Sequence, residues 1–199
     1  MGRRFEESYE ETVVLHDGAE VSLRLLRPDD KERLAAGFAR LSSESRYQRF
    51  FTGKERLSEA ELRYLTDVDG ERHFAICAIG ADGRGVGVAR FIRLASDPEI
   101  AEFAITVVDE LQRKGLGRIL TDRLIAAARE RGVKLLRAEV LANNRAMLSI
   151  LADKVAGRVR NGASVSVDIP VPEAPADEIL RLAAQRLLSF RRAYDRRKP

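Results

Sequence analysis

One cysteine, Cys77, stands in a chain of 199 residues, which excludes an internal disulfide framework and any cysteine-based zinc cluster. Histidine is nearly as scarce. His16 and His73 are the only two, at no metal-ligand spacing, so no catalytic metal is expected. No apolar run approaches the ~18–20 residues of a membrane span. The opening residues, Met1 to Glu7, include two arginines but no apolar stretch follows them, so export is not expected and the predicted setting is cytoplasmic. A broad basic face is lacking too. Of the net charge of +4, most sits in the tail from Glu173 onward, which has seven Arg/Lys against four Asp/Glu. A near-neutral body of this kind argues against a nucleic-acid-binding core.

What the chain does have is the composition of a soluble globular protein, 45% hydrophobic and 33% charged. Its length suits one domain plus a tail. Residues 1–172 are expected to form the domain, and 173–199 a basic helical tail beyond a boundary marked by Pro170, Pro172 and Pro175. The predicted tail helix, Asp177 to about Tyr194, has an apolar stripe at Ile179, Ala183, Leu187, Phe190 and Tyr194. That stripe needs a partner surface, either its own domain or a second copy in a homodimer.

Periodicity divides the domain. Thr12–His16 and Glu20–Leu26 alternate as strands, with a turn signal at Asp17-Gly18. Helices are predicted from Pro28 to about Ala39, over Ser43–Phe51, and from the capping box Ser58-Glu-Ala-Glu61 to about Thr66. Tyr47, Phe50 and Phe51 read as helix core. His73–Ile79 and Val86–Leu94 form a hairpin around Gly80–Gly85, with Gly83, Gly85 and Gly87 as turn and bulge residues. That glycine-rich piece joins strand to strand and so lacks the helix N-terminus of a phosphate loop. Then come a strand at Glu102–Val108, a helix from Arg118 to Arg131, a strand at Leu135–Leu141, a helix from Asn144 to Val155, and a last strand at Ala163–Val171. This order predicts an α/β domain, a mixed sheet with helices on both faces.

The informative stretch runs from Glu102 to Arg118. A strand ends, and Gln112-Arg-Lys-Gly-Leu-Gly117 leads directly into a helix. Glycines at 115 and 117 let backbone approach a bulky anion, and the first helical turn offers N–H groups without intrahelical partners. Arg113, Lys114 and Arg118 add positive charge. These are the physics of a diphosphate site. A third glycine is missing, since Leu120 stands in its place, and so is a Gly-Lys-Ser/Thr ending. Nicotinamide and nucleoside triphosphates are therefore disfavoured.

Gln112-Arg113-Lys114-Gly115-Leu116-Gly117, after a strand and before a helix, resembles the acetyl-CoA pyrophosphate loop of the GNAT acyltransferases. Asn144-Arg-Ala-Met-Leu resembles that family's helix after its fifth strand. The resemblance covers about residues 20–170. Ser43–Phe51, Leu57–Thr66, His73-Phe-Ala and Ala101–Asp109 are together similar to the bacterial GNAT protein-lysine acetyltransferases.

The resemblance implies a GNAT fold, an α/β domain with a mixed, mostly antiparallel sheet flanked by helices, and an acetyl-CoA-dependent N-acetyltransferase that acts on a primary amine, with protein lysine the leading acceptor. A small-molecule amine acetyltransferase and a non-catalytic acyl-CoA sensor are the alternatives. It further implies that backbone amides from Arg113 through Leu116 and Gly117 to Arg118 hold the pyrophosphate. Ile105, Thr106 and Val107 would pair with the pantetheine arm, and a backbone N–H near Val107 would support the thioester oxygen. Asn143 or Asn144 would contact the CoA arm, and Glu102 would be the general base. The chemistry of that last role is plain: a lysine amine, with a pKa of about 10.4, must lose a proton before it can attack. An exposed carboxylate paired with Arg90 or Arg93 is the ordinary alternative for Glu102, and Glu139 is the reserve base. Two departures from the family pattern stand out. Asn144 to Gly157 contains no tyrosine to protonate the leaving thiolate, and the helix closes on Lys154-Val-Ala-Gly-Arg158.

Overall fold

A computed structural model describes residues 3–173 of the chain. Eight strands form one sheet in the order β1-β2-β3-β4-β5-β6-β8-β7. β1 (Glu10–Val14) and β2 (Glu20–Leu25) make a hairpin across Asp17-Gly18, where Gly18 adopts φ +84. Then follow a 3-10 turn at Pro28–Asp30 and three helices: α1 (Lys31–Ala39), α2 (Ser43–Phe50) and α3 (Glu59–Thr66). Ser42 caps α2, and Ser58 with Glu61 forms the expected capping box on α3.

β3 (His73–Gly80) and β4 (Gly85–Arg93) pair as predicted, with a register shift at Ala78/Ile79. β5 (Ile100–Val107) lies antiparallel to β4 along its whole length. Next come α4 (Leu116–Glu130), β6 (Leu135–Leu141) and α5 (Arg145–Leu151). The sheet is thus mixed and mostly antiparallel, since β5 and β6 alone run parallel.

Side chains alternate across the sheet and so define two faces. α4 covers one of them. A Cβ at Gly87 would meet Leu120 at 3.1 Å and Leu116 at 3.5 Å, so the glycine sets how closely α4 packs. Ala89 and Phe91 share that face and are fully buried, as are Leu116, Leu120 and Leu124 of the helix stripe. The opposite face, with Val88, Arg90 and Ile92, lies under α1, α2 and α3.

Beyond Leu141 the structure departs from the expectation. The helix predicted to reach Val155 ends at Leu151, and a strand follows that the sequence reading missed, β7 (Gly157–Asn161). It pairs with β8 (Ser164–Pro170) through a turn at Gly162, φ +60. Every residue of β7 is exposed, so its sequence had no apolar face to reveal it. The aromatics of α2 also divide. Phe50 packs edge-on against Phe38 at 5.5 Å between centroids, whereas Tyr47 and Phe51 are exposed. No helix among the described residues is long and apolar enough to cross a membrane. The predicted tail helix and its stripe lie outside the described residues.

Candidate active site

The site follows from one feature of the sheet. β5 and β6 pair over three residues only, Ile100–Glu102 against Leu135–Arg137. Past Glu102 and Arg137 the strands part, and a cleft of about 390 Å3 opens between them. On its other edge β5 remains bonded to β4. Val108 N–H donates to Val86 O at 3.0 Å, and Leu94 N–H donates to Ile100 O at 2.9 Å. Even-numbered β5 residues therefore spend their backbone groups on β4, and alternation turns those of Ile105 and Val107 toward the cleft. Val107 O accepts the Gln112 side-chain amide at 3.1 Å.

Glu102 stands at the vertex. Its side chain is exposed, lines the cleft and has no hydrogen bond or ion pair among the described residues. The alternative, a pairing with Arg90 or Arg93, is absent among the described residues. Arg93 donates to the carbonyls of Glu71, Pro98 and Arg131, and Arg90 donates to Leu65 O and meets His73 Nε2. Across the vertex Arg137 forks onto Asp168, at 2.7 and 2.9 Å. Glu139 also lines the cleft but accepts a hydrogen bond from the Ser164 hydroxyl.

The loop into α4 closes one end. Arg113 and Gly115 both have positive φ, +61 and +95. The first helical bond is Ile119 N–H to Gly115 O at 3.1 Å. Among the described residues, the N–H groups from Arg113 through Arg118 therefore have no acceptor, at the positive end of a 15-residue helix. Arg113 has no ion-pair partner there either, whereas Lys114 pairs with Asp17 at 2.9 Å and Arg118 with Asp153 at 2.9 Å. Gly115 is pressed against His16, whose ring would lie 2.8 Å from a Cβ. The loop is also tied to α2. Gln112 donates to Ser45 Oγ at 3.1 Å, and Asp109 accepts from Ser42 and Ser45.

Of the predicted residues, Glu102, Ile105, Thr106, Val107, Gln112, Arg113, Gly117 and Asn144 line the cleft. Asn144 caps α5, with its Oδ1 accepting from Met147 N at 3.0 Å. Asn143 is exposed and does not line the cleft, and Leu116 is fully buried. Ile150 occupies the helix where a tyrosine was sought, and its Cδ1 would touch a Cβ at Gly117 at 2.8 Å. Cys77 is buried and burial pushes its thiol up to about 11, which suits an inert core residue. Sequence reasoning missed Arg49 and Arg90, which also line the cleft. Burial without a carboxylate partner, which sequence does not show, sets them apart.

The family model described as acetyltransferase (GNAT) family matches residues 22–152. This chain belongs to the GNAT acetyltransferase family. It is 36% identical over 162 residues to Acetyltransferase Pat of Mycolicibacterium smegmatis, a match covering 79% of this chain and 48% of that protein. The chain thus spans about half the length of that relative. The crystal structure of the GNAT domain of S. lividans PAT superposes with a TM-score of 0.77 at 29% identity, covering 83% of this chain and 99% of that one. The fold is also that of yncA from Salmonella typhimurium, solved with its cofactor acetyl-CoA, at 19% identity and a TM-score of 0.61, covering 78% and 96%.

Proposed function

We propose that this acetyltransferase moves the acetyl group of acetyl-CoA to a primary amine, with a protein lysine as the leading acceptor. The observation that carries the reading is the parting of β5 and β6. It leaves the backbone of Ile105 and Val107 facing a cleft at whose vertex Glu102 is unpaired. The open N–H groups from Arg113 to Arg118, with Arg113 beside them, suit a pyrophosphate. The edge of β5 suits the amide-bearing pantetheine arm, which can add to it as a strand would.

Acetyl-CoA supplies an activated acyl group as a thioester. The chain's part is to present, deprotonate and stabilise. Glu102 takes a proton from the acceptor ammonium, directly or through a water. The freed nitrogen attacks the thioester carbon. A backbone N–H facing the cleft near Val107 donates to the carbonyl oxygen as it gains charge, an interaction that strengthens in the transition state. The C–N bond forms, the C–S bond breaks, and the thiolate leaves. Because no tyrosine stands on α5, its proton comes from water or from the nitrogen. The acetyltransferase domain is assigned to 1–172 and the basic tail to 173–199.

The Pat name of the Mycolicibacterium relative and the PAT name of the S. lividans structure support a protein acceptor. Calorimetry with acetyl-CoA, NAD and ATP tests the cofactor, and acetyl-CoA should bind tightest. Mass spectrometry of lysate proteins after incubation with chain and acetyl-CoA tests the acceptor. Acetylation of small amines with no protein product would replace lysine by a small acceptor. Tight binding without any acetylated product would make the chain an acyl-CoA sensor.

A further inference from the structure

On the α2 side of the cleft, Arg49 and Arg90 meet no carboxylate among the described residues. Arg24, Arg33, Arg40, Arg118, Arg123 and Arg137 each meet a carboxylate within 4 Å. Arg90 does not, although it is only 5% exposed. Its Nη1 donates to Leu65 O at 2.8 Å and meets His73 Nε2 at 3.0 Å. Nε and Nη2 make no hydrogen bond among the described residues, yet neither is sealed from solvent. Arg49, from α2, makes no hydrogen bond and no ion pair among those residues, and its guanidinium lies over the Phe50 ring at 4.9 Å. Both line the cleft, and neither has a Glu102 or Glu139 oxygen within 4 Å.

A buried cation without a counter-ion is costly unless something supplies one. Burial, and then the charge of Arg49, pushes Arg90 down to about 9, so the two arginines feel each other. An arginine largely buried, half-bonded and open on one side is prepared for a planar anion, which its remaining N–H groups can grip as a fork.

Position tells which substrate would bring the anion. Arg90 lies on β4 opposite Ala104 of β5, and Glu102 lies opposite Ile92. Arg90 and Glu102 are therefore diagonal neighbours on one face of the sheet, a spacing of about 7–8 Å that long side chains bridge. That face lies under α2, whereas α4 covers the other. Thus Arg49 and Arg90 border the place where Glu102 meets the amine.

We infer that Arg49 and Arg90 form a carboxylate-binding subsite for the acceptor, which carries its acidic group close to the amine that is acetylated. The inference rests on the amine-acetylation reading and names a chemical feature of the acceptor. On a protein, the feature is an aspartate or glutamate beside the target lysine.

Two measurements on the full chain test it. The first needs no turnover. Titration with glutarate, followed through the arginine Nε–H signals by NMR, should shift Arg49 and Arg90, while neutral glutaramide should not. Arg49→Gln, which breaks no hydrogen bond among the described residues, should abolish the glutarate effect at Arg90. Unmoved Arg90 signals would overturn the subsite even if acetyl transfer is confirmed. The second compares lysine peptides that carry glutamate or glutamine next to the lysine. The glutamate peptide should have a KM lower by about tenfold, as suits a charge-assisted pair. Arg49→Gln should erase that difference and leave acetyl-CoA affinity unchanged. Equal KM values in the wild type would overturn the inference. So would an Arg49→Gln protein whose defect appears with succinyl-CoA instead, since the carboxylate would then belong to the acyl group.

Discussion

Nη1 of Arg90 stands 3.0 Å from Nε2 of His73, beneath the floor of the cleft. A guanidinium can only donate, so Nε2 accepts and the imidazole is neutral with its proton on Nδ1. Burial, and then the charge of Arg90, pushes His73 down to about 4 from 6.5. The Tyr64 ring flanks it at 5.4 Å. His73 is thus a support for Arg90 and lies a strand away from the vertex.

A pH dependence follows. A histidine whose folded pKa is depressed contributes its full stabilisation above the unfolded value of 6.5 and loses it as pH falls toward 4. At about 1.4 kcal/mol per unit, the loss is on the order of 3 kcal/mol. Urea unfolding between pH 8 and 4.5 should show this decline before the carboxylates titrate. His73→Asn should be less stable at pH 8 and flatter over that interval. An equal slope in both proteins would remove His73 from the account.

Acid stability below that window belongs in part to Glu11. Arg123 bonds it with two nitrogens, at 2.8 and 2.6 Å, Tyr9 donates at 2.7 Å and Arg4 at 2.9 Å. The Arg123 hydrogen bonds above all hold its carboxyl at about 2 instead of 4.5. Its contribution is present above 4.5 and disappears as pH falls toward 2. Glu11→Gln should cost about 1–3 kcal/mol at neutral pH, since it leaves a half-buried arginine poorly paired. The cost should shrink at pH 3, measured by thermal melting at both values.

The two loop glycines should differ when replaced. Gly115 has φ +95, and a Cβ there would meet the His16 ring at 2.8 Å. Gly115→Ala should lose about 1–2 kcal/mol from the backbone alone and weaken acetyl-CoA binding as the loop shifts. At Gly117 the neighbour is the end of the Ile150 side chain, which can swing away. Gly117→Ala should fold normally, while Gly117→Val, pointing more bulk at the cleft, should lower acetyl-CoA affinity. Calorimetry with melting curves separates the two behaviours. Equal losses at both positions would contradict the geometry.

Much of this architecture was legible in the residues. The turn at Asp17-Gly18, the capping box at Ser58, the β3–β4 hairpin and the strand-to-helix loop at Gln112–Gly117 are local signals with local causes. β7 was not legible, because a strand exposed along its length is held by its ladder to β8 alone. The cleft was legible only in part. Gly-x-Gly before a helix announces an anion site, and Glu102 interrupts an apolar strand. The parting of β5 from β6 has no sequence signal, because register is a property of two strands together. Arg49 and Arg90 are 41 positions apart in the chain and become notable only once the carboxylates near each are known.

Glu102 is unpaired at the one place where the sheet opens, so its replacement is informative. Glu102→Gln keeps the shape, breaks no hydrogen bond or ion pair among the described residues, and removes the basicity. Folding and acetyl-CoA affinity should be nearly unchanged, since the loop amides lie at the far end of β5. Turnover at neutral pH should fall by about 10²–10⁴-fold, the usual size of general-base effects. A lysine acceptor adds a second readout. Its own pKa is about 10.4, so raising the pH supplies free amine without help. The deficit of the variant should therefore narrow steadily from pH 7 to pH 10 in initial-rate assays. A purely structural defect would keep the same ratio at every pH. Near-normal turnover at pH 7 would move the search for the base to Glu139, whose Ser164 partner makes it the weaker candidate.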